Sequence, residues 1–600
     1  MAATQAGYRD LNKNGRMDPY EDPSRPIEER VEDLLGQMTL AEKAGLMFHN
    51  IAGVNPDGTL NPAPQGFSRE PISSLVTEKF LNHFNVHALP VPRMAATWYN
   101  RLQELAESTR LGIPVTISSD PRHSFSHNPL TSFQAVAFSQ WPEPLGFGAI
   151  DDPAITEQFA DMARQEYVAV GIRVALHPMA DLATEPRWGR MNGTFGEDAE
   201  RAAVHTAAYI RGFQGQQLGP QSVACMTKHF PGGGPQKDGE DPHFDYGREQ
   251  VYPGNAFKTH LIPFEAAFAA GTAQIMPYYG MPVETEYEEV GFSFNKQIIT
   301  KLLREHYGFD GVVCTDWGLI TDGNIGGKIM PARAWGVEHL SREDRVLKAL
   351  EAGVDQFGGE SCADLIISLV EGGRMSEERI NQSVRRILRD KFRLGLFDNP
   401  YVDVDAAEQI VGRADFRAAG DLAQRRSIVL LKNGVAAPVL PLQGRPKVYA
   451  ERVNAEVLAE YAEPVSDLEA ADLAILRLNT PYEPRDKYFL EALFHAGDLD
   501  FKSPEKERIL GILSTKPTIV VIYLDRAAVI PEIAEQSAAL LADFGASDAA
   551  VLDIIFGRFA PTGKLPFELP SSMEAVRAQA PDLPGDSENP LFRFGDGLSY

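Results

Sequence analysis

From about residue 110 the chain alternates short apolar, β-rich runs with longer stretches of helical spacing. The runs cover 114–120, 174–182, 223–229, 274–279 and 311–316, and each carries a polar or charged residue at or next to its end. Between them, segments such as 154–170, 200–214 and 259–270 space their apolar residues as helices do. Strands alternating with helices predict a parallel sheet. The length of the pattern suits a (β/α)8 TIM-like barrel over 27–395. A doubly wound sheet is the rival, but no GxGxxG opens a helix after a strand. Before the alternation, Val31, Leu34 and Leu35 mark a helix over Ile27–Gln37, and Thr39 with Glu42 forms a capping box for another. After it, Ser376 caps a long helix with Ile380, Val384, Ile387 and Leu388 on one face. Residues 396–425 are polar and strand-poor and read as a linker. Apolar, β-branched runs then return at 427–433, 471–479, 517–526 and 537–545. They predict a second, smaller parallel sheet within an α/β unit over 426–600.

Composition narrows the class. Of 600 residues, 44% are hydrophobic and 23% charged, an ordinary globular mixture that excludes wholesale disorder. The apolar runs fall short of the ~18 residues a membrane span needs. The net charge of −26 disfavours a phosphate backbone as partner, so neither nucleic acid nor membrane is expected. A second copy of the chain is an admissible partner. Three cysteines, none in a CxxC pair, give no disulfide framework and no redox or zinc site. The N-terminus has no basic and apolar leader, so the protein is expected to be cytoplasmic or to have had its leader removed.

The chemistry gathers at the predicted strand ends. These carry Asp120, Asp181, Lys228 with His229, Tyr279, and Asp316 with Trp317, and a barrel of this type places its site there. A carboxylate beside an indole suits a sugar, whose C–H face stacks on the ring while the carboxylate meets the anomeric carbon. The plain alternative is an Asp that caps a turn. Lys228 and His229 precede Pro231 and three glycines. Phosphate binding there is the weaker reading, because Lys precedes the glycines and no GK[ST] follows. Arg187, Trp188 and Arg190 follow Asp181 closely; a surface Arg–Trp stack is the plain reading. Separately, Asp10, Asn12, Asn14, Arg16, Asp18 and Glu21 fall at positions 1, 3, 5, 7, 9 and 12 of a calcium loop, with Gly15 at the turn. No strong helix enters it, so an N-terminal arm over 1–26 with an isolated structural Ca2+ loop is expected rather than a paired EF-hand. No cofactor is expected for catalysis.

The motifs taken together resemble glycoside hydrolase family three, of the β-glucosidase type. They are PVTISSD (114–120), PRWGR with TFGED (186–198), KHFPGGG (228–234), IMPYYG (275–280), GFDGVVCTDWG (308–318), GRFAPTGKLPFELP (557–570) and FGDGLSY (594–600). The resemblance implies a barrel followed by an α/β sandwich, a retaining mechanism, and an active site between the two. It implies Asp316 as nucleophile, Asp120, Arg190, Lys228, His229 and Tyr279 as the binding site for the terminal glucose, and Trp317 as its aromatic wall. Two positions depart from the pattern: Gly193 replaces a usual Glu, and KHFPG is followed by Gly233 and Gly234 without the His that the N-acetylglucosaminidase branch uses. A general acid/base Glu is expected from a loop of the second domain. Glu483 is the choice; Glu491 lies in a helix-like stretch and reads as structural.

The expected function is an exo-acting, retaining β-glucosidase on a β-glucoside or oligosaccharide. A β-xylosidase or exo-β-glucanase is the alternative on the same scaffold. A non-catalytic carbohydrate-binding protein is disfavoured by intact Asp316, Lys228 and His229, and a calcium-dependent adhesion module explains only residues 10–21.

Overall fold

The computed structural model describes residues 8–61, 70–127, 136–325 and 327–600. Eight parallel strands form the first sheet: β1 (Phe48–Ala52), β2 (His83–Val86), β3 (Thr116–Ser119), β4 (Ile172–Ala175), β5 (Ala224–Phe230), β6 (Gln274–Pro277), β7 (Val312–Val313) and β8 (Phe357–Gly358). They neighbour one another in chain order, and β8 pairs back onto β1. The remaining gap, between β7 and β8, is bridged by Cys314 and Gln356, with Thr315 N donating to Gln356 O at 2.9 Å. The sheet therefore closes into a barrel.

Five of these strands overlap the predicted runs, although β4 starts two residues before its run and β5 ends one residue after. The sequence pattern misses β1, β2 and β8 for physical reasons. β1 (FHNIA) and β2 (HFNV) place His49, Asn50, His83 and Asn85 inside the fold, so they lack an apolar signature. β8 is two residues long. The opposite end of the barrel is stitched by Lys391, fully buried on the helix Glu377–Arg393. Its Nζ hydrogen-bonds to Asn82 O (3.1 Å), Pro114 O (2.8 Å) and Thr116 Oγ1 (2.7 Å), holding the starts of β2 and β3. Burial pushes the Lys391 pKa well below the usual lysine range, and these contacts meet its hydrogen-bonding capacity.

Residues 396–425 hold two helices, Val404–Ile410 and Ala414–Ser427. They pack on the barrel: Asn100 Nδ2 donates to Val402 O at 2.9 Å, and Gly412 N to the buried Glu166 at 2.6 Å.

The second sheet has six strands: β9 (Val429–Asn433), β10 (Lys447–Glu451), β11 (Glu463–Val465), β12 (Leu473–Asn479), β13 (Thr518–Tyr523) and β14 (Ala539–Asp543), in the order β9-β14-β13-β12-β10-β11. It is mixed, not all parallel as expected: β9 runs antiparallel to β14. β9 is an edge strand, and its short apolar run fits either direction of pairing. With its flanking helices this is an α/β sandwich.

The two units meet over a buried carboxyl. Ser126, Asn192 and Tyr523 all donate to Glu143 Oε1, and Glu143 N donates to Phe544 O. Burial pushes the Glu143 carboxyl up to about 8. Among the described residues, no helix is long and apolar enough to cross a membrane.

Candidate active site

Each barrel strand delivers a side chain or a gap to the rim at its C-terminal end. Asp120 follows β3. Lys228 Nζ, from β5, donates to its Oδ1 at 3.0 Å, and Asn85 Nδ2, from β2, to its Oδ2 at 3.2 Å. Burial alone would raise this carboxyl; the Lys228 ammonium, helped by His87 and the Asn85 amide, offsets burial and holds Asp120 down at about 2. Asp181, in the loop after β4, accepts from His229 Nδ1 (2.7 Å), His229 N (3.1 Å) and Gly233 N (2.5 Å). Burial raises Asp181 to about 6 despite these donors. Burial, with the nearby Arg190 and Lys228 cations, pushes His229 well below its usual range, so the ring is neutral at pH 7. The Asp181 contact assigns the proton to Nδ1 and leaves Nε2 without a protein partner, 3.9 Å from Asp316 Oδ2.

Asp316 comes just after β7 and is 8% exposed. Its Oδ1 accepts from Trp317 N at 2.8 Å, while its buried Oδ2 has no hydrogen-bond partner. Trp317 fits here because the last residue of β8 and the one after it, Gly358 and Gly359, are glycines. A Cβ on Gly358 would stand 2.5 Å from the indole, and one on Gly359 2.7 Å. The other flank of the indole is His49 from β1, at 5.3 Å between ring centroids. Tyr279, after β6, donates its hydroxyl to Trp317 O at 2.7 Å, so it shapes the wall rather than offering a free donor. Arg190 is buried with Nε and Nη1 unpartnered. Buried N–H groups without partners are costly, and here they lie beside unpartnered acceptors at His229 and Asp316. Such a set can grip the hydroxyls of one sugar ring while a carboxylate oxygen faces its reacting carbon.

Residues 81–389 match the glycosyl hydrolase family 3 N terminal domain, and 450–600 match its C-terminal domain. "Probable beta-glucosidase C" of Aspergillus oryzae is 52% identical over 99% of this chain and 93% of its own. "Periplasmic beta-glucosidase/beta-xylosidase" of Dickeya chrysanthemi is 42% identical over 99% and 93%. The chain belongs to glycosyl hydrolase family 3. It is a glycoside hydrolase. Among solved structures, a β-glucosidase of Erythrobacter marinus superposes with a TM-score of 0.79 at 22% identity, covering 97% of this chain and 84% of that one, which shows the fold.

In this family 3 chain the barrel residues singled out from sequence come together, and the neighbouring motif divides its work. Trp188 Nε1 donates to Asp241 Oδ2 at 3.1 Å and Arg187 pairs with Glu185, leaving Arg190 to face the site. The residues from the second unit do not join them. Glu483 is exposed and takes its side-chain hydrogen bond from Asp498 N, at 3.5 Å within its own loop. Glu491 is buried, with Oε1 accepting from Tyr246 OH and Oε2 from Tyr488 N, both at 2.8 Å.

Sequence reasoning missed one pair at this rim. His243 Nδ1 lies 2.6 Å from Asp241 Oδ1, and the His243 ring is 4.6 Å from that of Tyr279. Burial lowers the His243 pKa, against the pull of the Asp241 and Asp316 carboxylates. The legible signal was Asp-Pro-His at 241–243, in the loop opened by the glycine run.

The N-terminal loop closes on itself. Asp18 Oδ2 accepts from the side-chain amides of Asn12 and Asn14, both at 2.5 Å, and Glu21 accepts from Leu11 N and Asp18 N. Asp10 accepts from Asn14 N and Gly15 N, and Arg16 pairs with Asp18. Among the described residues, no group of three or more His, Cys, Asp and Glu side chains is placed to hold a metal ion. The oxygen donors suit a hard cation in kind, but the two Asn amides would have to turn to present their carbonyls.

The Lys228–Asp120 pair sets a pH dependence. Asp120 is depressed in the folded protein, so it stays ionised until the pH falls towards about 2. Replacing Lys228 by Met removes the main force opposing burial and raises the Asp120 pKa. The acid limb of kcat/KM should then move to higher pH, with a raised KM. A pH–rate profile checks this; an unmoved limb contradicts the pairing.

Proposed function

We propose that the protein is an exo-acting, retaining β-glucosidase. The observation that carries this reading is the buried, unpartnered Oδ2 of Asp316, at a rim whose Arg190, His229, Asp120 and Lys228 can hold one terminal ring. The names of the Aspergillus relatives support glucose; the Dickeya name supports xylose as the alternative, and an exo-1,3/1,4-β-glucanase from Pseudoalteromonas shares the fold with a TM-score of 0.76. Asp316 Oδ2 attacks the anomeric carbon as the glycosidic C–O bond breaks, and a general acid gives its proton to the departing oxygen. The conjugate base then takes a proton from water, whose oxygen displaces Asp316 and releases the sugar.

Glu483 is the acid/base expected from sequence. The arrangement supports His243 better. Asp241 orients its ring, and the Asp241 and Asp316 carboxylates oppose the effect of burial and favour the protonated ring that a general acid needs, whereas Glu483 faces solvent. Loss of a general acid harms poor leaving groups most. His243→Ala should therefore slow disaccharides and alkyl glucosides far more than dinitrophenyl β-glucoside, and azide should restore deglycosylation. Glu483→Ala should show neither effect. The opposite pattern would return the role to Glu483. The glycone itself is tested by turnover of aryl β-glucoside, β-xyloside and β-N-acetylglucosaminide, where the β-glucoside should be fastest; a faster xyloside would overturn the glucose assignment.

Calcium at the N-terminal loop is proposed as structural. Asp10, Asn12, Asn14, the Arg16 carbonyl, Asp18 and Glu21 would hold it. Binding only to the folded state raises the melting temperature. Added calcium should raise it and a chelator lower it; identical melts would remove the ion from the account.

A further inference from the structure

The barrel rim builds the end of the site that receives the terminal sugar, but it leaves open what contacts the leaving group. Residues 480–504 of the second unit span this side with little regular structure, one 3-10 turn at Phe489–Leu493. A loop of that length keeps a shape only if something holds it.

Three side-chain cross-links do so, one of them Lys487 to Asp245 at 3.1 Å. Arg485 grips Glu240 of the barrel with both guanidinium nitrogens, at 2.5 and 2.8 Å. Tyr246, on the same barrel loop, donates to the buried Glu491 at 2.8 Å. Rings fill the space between them. Phe244 stacks on Tyr488 (5.7 Å, 9°) and meets Phe494 edge-on at 4.9 Å, and Phe494 lies 5.0 Å from the His243 ring. The loop also comes down directly beside Arg190: a Cβ on Gly189 would stand 2.6 Å from His495 O. Around the clasp, Tyr482 (43% exposed), Tyr246 (39%) and Phe489 (37%) present rings to solvent, and Tyr482 is stacked on His495 at 3.9 Å.

We propose that the Glu240–Arg485 and Tyr246–Glu491 clasp is a positioning device that holds 480–496 as the wall of the leaving-group side. This rests on the glycosidase reading above. Tyr482 and Phe489, part-exposed beside the clasp, offer ring surface on which a cyclic leaving group, a second pyranose or an aryl group, can stack. On this account Glu491 is used up by the clasp. A bidentate guanidinium–carboxylate pair fixes direction as well as distance, which suits a hold on an irregular loop.

The test compares wild type with Glu240→Gln and Arg485→Lys on cellobiose and on dinitrophenyl β-glucoside. Each variant should lose about tenfold or more in kcat/KM on cellobiose, mainly through KM, as misplacement of a contacting wall does. On the dinitrophenyl substrate each should stay within about twofold. The double swap Glu240→Arg with Arg485→Glu should recover part of the loss. Hydrogen–deuterium exchange of 480–496 and 237–248 should quicken in Glu240→Gln. Equal losses on both substrates, no loss, no recovery in the swap, or unchanged exchange would each overturn the clasp. The exchange experiment needs no substrate, so it judges the clasp even if the glycone is misassigned. A wild type inert on both glucosides would instead count against the functional reading.

Discussion

Closure of the barrel is the constraint on which everything else depends. Eight parallel strands end on one rim only if the ring is complete, and its narrowest joint is the Cys314–Gln356 bridge between two strands of two residues each. That joint sets Asp316 and Trp317 beside Gly358 and Gly359, where no side chain competes with the indole. From there the chemistry follows from burial. Two of the carboxylates at the rim are held by fixed neighbours: Asp120 by Lys228, and Asp181 by the neutral His229. What is left over is specific: unpartnered nitrogens on Arg190 and His229 and one oxygen of Asp316.

Much of this was legible in the sequence because the strands that carry it have apolar bodies and charged ends. β3, β5, β6 and β7 announce both the sheet and the positions of Asp120, Lys228, His229, Tyr279 and Asp316. β1 and β2 were hidden by the same feature that makes them useful, the polar residues His49 and Asn85 turned into the fold. β8 is too short to show any period. The direction of β9 could not be read from its apolar pattern, which is the same for either pairing.

The leaving-group side was the least legible, again for a physical reason. It is made by contacts between segments more than two hundred residues apart, such as Arg485 with Glu240 and Tyr246 with Glu491. No local spacing reports them. A Glu at the end of β12 is a sound expectation from motif position alone, but the contacts of Glu483 stay inside its own loop, while Asp241 and His243 sit against the wall of the site. In the proposed reading the two units divide the work: the barrel holds one ring and the nucleophile, and the clasped loop shapes the other side.

The central claim is that Asp316 forms the covalent bond. The direct measurement is mass spectrometry of peptic peptides after reaction with a 2-deoxy-2-fluoro-β-glucoside bearing a good leaving group, which slows deglycosylation and lets the ester accumulate. The account predicts one fluoroglucosyl unit on the peptide spanning 308–318, located at Asp316. A label on another carboxylate, or full turnover of aryl glucosides by Asp316→Ala, would contradict it.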